Sequence, residues 1–392
     1  MRKIFFKSLL TICTLAVTLA SCNNENDVPE VPQKTGSVFM KLNLGQKADT
    51  RANEAPLAAG TTATVNSLHI YFYSNGDQSI QKYLRVDNTT TPSITDLTTG
   101  AQVSDVPAVA DRVLVRGNVP AGVSLPTSGL ITTVENQEIE ITTQNSSNNI
   151  LLDHLAASIQ TYATGGGAAP IAGMQNGDKY AEIELKPAVA RIEIEGLQAQ
   201  GTVIDAFKLS GIYLTNFYIK MKLGDGTSIP ASKLQYGTDV SKYEKNAVGT
   251  LYLPANTMLF DDFEPTPIHA SGTPLSVTPN PSTNRWTYYA FSNDATTAND
   301  QLQLVFKLNS LAASGGSGMI FPAGPQFLTV RGFKDNAGNI VKLEKGKIYT
   351  ISKTDFTFDE SKLSTVPNTN AVGVWLKVTV KPWMVVAVKP NL

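Results

Sequence analysis

Short runs of β-branched, aromatic and alternating apolar residues recur along this chain, each bounded by Gly, Pro, Asn or Asp. The segment Val65 to Val86 contains two such runs around Asn75-Gly76, a dipeptide typical of tight hairpins because both residues tolerate positive φ. Further runs include Arg112 to Val119, Phe207 to Leu223 and Phe327 to Phe333. Many short strands with polar turns and few charged helix-forming runs predict an all-β protein with little helix, built from β-sandwich domains.

The length of 392 residues is sufficient for two such domains in tandem. A glycine- and alanine-rich break begins at Gly165, and a new alternating run begins near Lys179. We therefore predict an N-terminal domain over 52–178 and a C-terminal domain over 179–392. Two local expectations complete this prediction: a short helix over Asn149 to Tyr162 and a loop over Asp87 to Ala101.

The N-terminus has the pattern of a targeting segment. Three basic residues precede an apolar stretch, Ser8 to Leu19, that is too short to span a membrane. The sequence Leu19-Ala20-Ser21-Cys22 resembles a bacterial lipobox, so residues 1–21 are predicted to be a lipoprotein signal peptide and Cys22 the acylated (palmitate-bearing) residue. Removal of Cys13 with the signal leaves Cys22 as the only thiol, which cannot form an internal disulfide. An ordinary secretory signal with an incidental cysteine is the alternative.

A strand followed by an exposed loop comes next. Alternation over Gly36 to Leu44 puts one set of apolar side chains on a single face: Val38, Met40, Leu42 and Leu44. The following stretch, Gly45 to Thr64, is small and polar and contains Arg51, so we expect it to be accessible to proteases. A cut between Arg51 and Ala52 would release residues 22–51, including the strand, and expose an apolar groove.

The C-terminal segment, residues 371–392, is the second unusual strand. Its large apolar residues share one parity, before and after Pro382: Val372, Val374, Leu376, Val378, Val380, Met384, Val386 and Val388. Proline cannot donate a ladder hydrogen bond, so it should bend this strand or place it at a sheet edge. A long apolar strand left unpaired promotes aggregation, so it must pair within its own domain or with another chain.

These stretches, in this order, resemble the fimbrillins, the lipoprotein-derived subunits of type V pili. The similar stretches are GSVFMKLNLG before an Arg-Ala bond, VNSLHIYFYSNGD, VLVRGNVP, LKPAVARIEI, GKIYTISKTDFTF and VWLKVTVKPWMVV. In LKPAVARIEI, Arg191 keeps the second arginine of the family's pattern, whereas Lys186 or Pro187 replaces the first.

The resemblance implies two transthyretin-like β-sandwich domains and an outer-membrane lipoprotein precursor. It implies cleavage at Arg51–Ala52 by an arginine-specific protease and donation of the C-terminal strand to the groove of another copy. The expected location is a fimbrium on the cell surface, the expected partners are copies of the chain and accessory pilus subunits, and no cofactor or metal is implied.

Other functions have weaker support in the residues. The formal net charge of −1 argues against a nucleic-acid partner. The three histidines, the Ser314–Gly318 loop and the acidic residues Asp261, Asp262 and Glu264 form no complete catalytic or metal-binding motif, so we predict no enzyme. Trp286, Tyr288 and Tyr289 are compatible with a sugar platform, although core packing is commoner. The main alternatives are a monomeric surface lipoprotein that binds glycans or a partner, and a tip or anchor subunit of a pilus.

Overall fold

The computed structural model describes residues 35–43, 63–146, 148–165, 168–280, 282, 284–297, 300–335, 337–369, 374–383 and 385–387. Within these ranges almost all regular structure is β-strand, which confirms the predicted all-β class. The α-helices there are α1 (Ile94–Thr99) and α2 (Ile131–Glu135). Single 3₁₀ turns occur at Ile141–Thr143, Pro230–Ser232, Val240–Lys242 and Glu360–Lys362.

The first half of the chain forms two sheets around a shared apolar core. Its strands are β1 (Thr35–Asn43), β2 (Ala63–Val65), β3 (Leu68–Tyr73), β4 (Ile80–Val86), β5 (Ala101–Pro107), β6 (Arg112–Gly117), β7 (Glu138–Glu140), β8 (Leu152–Ser158), β9 (Gln160–Thr161), β10 (Lys179–Glu184) and β11 (Lys186–Pro187). One sheet has the order β5-β1-β10-β9 and the other β11-β8-β6-β3-β4. Strands β3 and β4 are the hairpin predicted around Asn75-Gly76.

The second half is a larger set of sheets. Its strands are β12 (Ala190–Ile194), β13 (Leu197–Ala199), β14 (Ile204–Thr215), β15 (Phe217–Tyr218), β16 (Lys220–Lys222), β17 (Lys233–Leu234), β18 (Phe260–Asp262), β19 (Ile268–His269), β20 (Ser276–Val277), β21 (Trp286–Ala290), β22 (Gln303–Ala313), β23 (Gln326–Lys334), β24 (Lys347–Ile351), β25 (Thr357–Phe358), β26 (Leu363–Ser364), β27 (Val374–Lys377), β28 (Thr379–Pro382) and β29 (Val385–Ala387). The two largest sheets have the orders β21-β12-β24-β28 and β18-β14-β22-β23-β26, with β27 beside β23.

Strands that follow the predicted domain boundary before Lys179 pair with strands of the first half of the chain. Strand β10 pairs with β1, and β11 pairs with β8, so the first set of sheets continues to Pro187. Alternation identifies 179–184 as a strand but does not reveal its partner. We therefore propose that the division between domains falls after Pro187 and not before Lys179.

Two local expectations were wrong. The segment predicted as a helix over Asn149 to Tyr162 contains β8, which pairs with β6 and is held extended by that partner. The segment predicted as a loop over Asp87 to Ala101 contains α1. Ser93 caps this helix: its Oγ accepts from the Asp96 N–H at 3.1 Å, and its own N–H donates to Asp96 Oδ2 at 2.8 Å.

Candidate functional site: the N-terminal strand and its groove

Strand β1 occupies an interior position in its sheet. It runs antiparallel to β5 and parallel to β10, and its backbone pairs with both. Val38, Met40 and Leu42 are 4%, 0% and 2% exposed, as their shared parity predicts. Lys41 lies on the other face, half-buried, and its Nζ donates to the Pro170 carbonyl at 3.4 Å. Val38, Met40 and Leu42 therefore form the predicted apolar face of β1, while Leu44 lies outside the described residues.

The walls around β1 are apolar and mostly small. Val38 is in register with Val103 of β5, and Met40 lies between Ala101 of β5 and Ala181 of β10. Leu42 is in register with Ile183 of β10. Helix α1 contacts the strand and buries Ile94 and Leu97 completely. Removal of β1 would therefore leave a slot lined by these side chains.

The backbone of β5 depends on β1. In the sheet order β5-β1-β10-β9, β5 is terminal, so β1 is its sheet partner among the described strands. Loss of β1 would leave that edge of β5 and one edge of β10 without hydrogen bonds. Reburying three side chains of this size would stabilise binding of a replacement strand by about 5–9 kcal/mol as an upper estimate. The unpaired strand edges would favour such a strand further.

The C-terminal segment is already paired within the subunit. Strand β27 lies parallel to β23, β28 lies antiparallel to β24, and β29 lies parallel to β2 in the first half of the chain. Leu376 and Val378 are buried and Val374 is half-buried, whereas Lys377 and Thr379 are exposed, so the predicted parity holds for these positions.

Pro382 ends β28, the outermost strand of its sheet, as a residue without a donor requires. Strands β28 and β29 include Val380 and Val386 in their backbone pairing.

Several predicted site residues lie outside the described part of the chain. They are Cys22, Leu44, Arg51, Ala52, Val372, Met384 and Val388. Lipidation at Cys22, cleavage after Arg51 and the contribution of these apolar positions to strand exchange therefore stay predictions.

Two of the histidines, His69 and His154, make contacts that are structural. His69 Nδ1 lies 2.9 Å from the Tyr83 hydroxyl, and burial together with nearby Arg85 lowers the pKa of His69 to about 4. His154 lies on β8, with Nδ1 3.0 Å from the Glu184 carbonyl oxygen, and burial lowers its pKa. Each imidazole is therefore neutral at pH 7.

The aromatic and acidic candidates also form part of the core. Trp286, Tyr288 and Tyr289 are all buried, so they do not present a sugar-binding platform. The Tyr288 hydroxyl donates to Asp261 Oδ2 at 2.6 Å, and burial raises the pKa of Asp261. Within the described residues no group of three His, Cys, Asp or Glu side chains is arranged to hold a metal ion.

Arg116 joins the two halves and was not singled out from the sequence. This fully buried side chain donates from Nε to the Leu223 carbonyl at 2.8 Å and from Nη2 to the Gly224 carbonyl, both in the second half. Its Nη1 donates to the carbonyls of Val115 and His154 in its own half. The only sequence signal is a charged residue inside an apolar strand, which indicates a buried guanidinium but not its partners.

No helix in the described ranges combines the length and apolar character needed to cross a membrane. No family model matches the sequence, and no curated protein matches it.

Solved structures do match. A fimbrilin (FimA) from Porphyromonas gingivalis aligns over 90% of this chain and 99% of its own, with a TM-score of 0.53 and 14% identity. A candidate cell-adhesion protein from Bacteroides eggerthii aligns over 92% of this chain and 99% of its own, with a TM-score of 0.51 and 14% identity. Another, from Parabacteroides distasonis, covers 90% and 97%, with a TM-score of 0.50 and 15% identity. The resemblance read from the sequence is thus confirmed at the level of the fold: this chain has the β-sandwich fold of a fimbrilin and of Bacteroidales proteins associated with cell adhesion.

Proposed function

We propose that this chain is a structural subunit of a cell-surface fimbrium that supports adhesion. In this proposal it is exported as an outer-membrane lipoprotein acylated at Cys22. An arginine-specific protease then cuts between Arg51 and Ala52, and subunits polymerise when the segment 371–392 of one copy replaces β1 of another. Accessory pilus subunits would complete the fibre.

The interior position of β1 is the observation that carries this proposal. A strand that lies between two others and supplies three buried side chains cannot leave without a substitute, because its loss opens the core and unpairs β5. Strand addition requires backbone pairing and alternate side chains that fit the slot. The C-terminal segment offers both, since Leu376 and Val378 alternate with the exposed Lys377 and Thr379.

One observation favours the rival function, a monomeric surface lipoprotein that binds a partner. Strands β27 and β28 are paired inside their own subunit, so the segment needs no second chain to be stable. The decisive question is therefore whether cleavage makes the subunit accept a strand in trans.

The test begins with the lipid-free chain, starting at Asn23, and an arginine-specific protease. The expected result is a new N-terminus at Ala52, followed by SDS-resistant ladders, while Arg51→Gln yields neither. Deleting 371–392 would remove β27 to β29 from their own sheets and could unfold the subunit. A peptide is a cleaner probe: residues 36–44, added in excess after cleavage, should refill the slot and stop ladder growth.

A matched peptide controls for nonspecific binding. It has the same composition, with Met40 and Lys41 exchanged and Leu42 and Asn43 exchanged, so its apolar residues fall on both faces. It should not stop growth. A clean cut without ladders would refute the stalk role and leave a tip subunit or a solitary binding lipoprotein. A loop that resists cleavage would instead favour an anchor role.

A further inference from the structure

Trp383 fastens the C-terminal segment to its own subunit. It directly follows β28, and its backbone N–H donates to the Gly346 carbonyl at 2.8 Å. Its ring is 4% exposed and lies 5.4 Å from the Tyr289 ring, centroid to centroid, while the Arg191 guanidinium carbon lies 5.9 Å from the Trp383 ring centroid. In the sheet order β21-β12-β24-β28, Tyr289 lies on one edge strand and Trp383 directly follows the strand at the opposite edge. The ring therefore reaches back across the face of this sheet.

Arg191 is fixed in place beneath that ring. Its Nε donates to Glu193 Oε1 at 2.7 Å, its Nη1 to the Tyr289 hydroxyl at 3.0 Å and its Nη2 to Thr287 Oγ1 at 3.2 Å. Residues 191 and 193 share one parity of β12, and both side chains are buried. The guanidinium is thus preorganised to stack against an aromatic ring.

The contact between this ring and the sheet leaves one polar atom of the ring without a hydrogen bond. Trp383 Nε1 is buried and has no hydrogen-bond partner among the described residues. The ring also covers the Arg191 guanidinium, 5.9 Å from the ring centroid, and burial removes part of the hydration of that charge. Undocking would return the indole N–H to water and expose the guanidinium. The stacked ring therefore holds the segment by a specific contact, and its unsatisfied N–H keeps that hold reversible.

A physical connection links this contact to β1. Beyond Trp383 the chain continues into β29, which pairs with β2 in the first half. Helix α1 contacts both β1 and β29. Departure of β1 would therefore remove one of the supports of the helix against which β29 rests, so loss of the N-terminal strand weakens the hold on the C-terminal segment.

We propose that Arg191, Tyr289 and Trp383 form a latch that retains the C-terminal segment on its own subunit until β1 has left. The latch rests on the proposed function and adds its regulation: cleavage first opens the acceptor slot and then loosens the donor. Its recipient is the emptied β1 slot of a second copy of this chain. The latch also gives a role to Arg191, the arginine of the stretch LKPAVARIEI.

The first test measures hydrogen exchange of the uncleaved, lipid-free chain, where no polymerisation occurs. In Trp383→Leu, which keeps an apolar side chain but removes the stacked ring, amide exchange over 379–387 should be about tenfold faster. Trp383→Phe keeps a ring and lacks the unsatisfied N–H, so its exchange should stay near that of the parent. Exchange in β3 and β6 should not change in either variant.

Trp286→Leu is the matched control, because it removes a buried indole from the same sheet, and the ring of Trp286 lies against Phe263. It should raise exchange around Trp286 and leave Tyr289 and 379–387 unchanged. Unchanged exchange over 379–387 in Trp383→Leu, or an equal rise in Trp286→Leu, would overturn the latch.

A reversible cross-link tests the role of release. Thr350 and Thr379 are register partners of β24 and β28, and the chain starting at Asn23 contains no cysteine of its own. In Thr350→Cys/Thr379→Cys, oxidation should stop ladder formation after protease treatment, and reduction should restore it. Ladders from the oxidised protein would overturn both the latch and the donor role of 371–392, whereas normal ladders together with unchanged exchange over 379–387 in Trp383→Leu would overturn the latch alone. Conversely, if exchange over 379–387 is faster in Trp383→Leu but the parent chain never forms ladders after the cut, the proposed function alone would be refuted.

Discussion

Met40→Ala should destabilise the uncleaved chain strongly. Met40 is fully buried on β1 and is in register with Ala101 on one side and Ala181 on the other. Neither neighbour is large enough to fill the space that the thioether vacates, so the cavity should persist. We expect the free energy of unfolding to fall by about 3–5 kcal/mol, in the upper part of the range for Met→Ala substitutions.

The assay is urea unfolding of the lipid-free chain, followed by circular dichroism before and after cleavage by the arginine-specific protease. The distinguishing feature is that residue 40 leaves with the N-terminal strand. The cleaved Met40→Ala protein should therefore unfold at the same urea concentration as the cleaved parent. Met221→Ala is the matched control: Met221 is also fully buried, but it lies in β16 and remains after cleavage, so its deficit should persist.

Two outcomes would refute the reasoning. A loss below about 1 kcal/mol in the uncleaved chain would mean that β1 does not fill its slot, because cavity formation at a packed site costs more. A loss that persists after a verified cut at Arg51 would mean that the freed strand stays bound. The second outcome would also explain an absence of ladders.

Three further predictions concern the frame around the slot. Burial lowers the pKa of His69 to about 4, so the folded state keeps the imidazole neutral while the unfolded state gains a proton below pH 6.5. Acidification from pH 7 towards 4 should therefore lower the free energy of unfolding by about 1–2 kcal/mol, after allowance for partial exposure. His69→Gln should abolish this contribution to the pH dependence of urea unfolding. Arg116→Met should lower the free energy of unfolding by about 3 kcal/mol and increase the separation of the two halves in small-angle scattering, because it leaves buried carbonyls without donors. Lys220→Met, which removes an exposed ion pair, should change the free energy of unfolding far less. Gly100→Ala should lower stability by about 2–4 kcal/mol in thermal unfolding, because position 100 has a φ of 100° and its Cβ would lie 2.3 Å from Ile171 Cγ2.

The periodic parts of this fold could be predicted from the sequence. Alternation identified β1, its inward residues and the parity of the C-terminal segment, because one face of each strand is buried and the other is not. The Asn75-Gly76 signal located the hairpin of β3 and β4, since turn chemistry is local. These signals depend only on neighbouring residues.

The pairings between distant segments could not be predicted. The parallel partner of β1 is β10, more than a hundred residues away, and the alternation within a strand does not indicate which other strand it pairs with. The same limit applied to β8, whose apolar spacing is compatible with a helix until β6 is placed beside it. Helix α1 has six residues, too few for helical periodicity, and only the Ser93–Asp96 capping box marks it. Likewise, Arg191 and Trp383 meet only because the end of β28 turns back over the sheet.

In the proposed assembly, pairing of the donor segment within its own subunit changes the energetics of strand exchange. Leu376 and Val378 are already buried against the subunit that carries them, so their burial largely cancels when they move into a neighbour's slot. The net driving force for the proposed exchange must come from the acceptor, where Val103, Ala181 and Ile183 regain a cover and β5 regains a partner, and from rehydration of the Arg191 guanidinium. It follows that an uncleaved subunit gains nothing by accepting a strand, whatever the affinity of the segment. Substitutions lining the slot should therefore change the extent of polymerisation more than equally apolar substitutions in the donor, since the slot changes in burial whereas the apolar side chains of the donor are buried in both states.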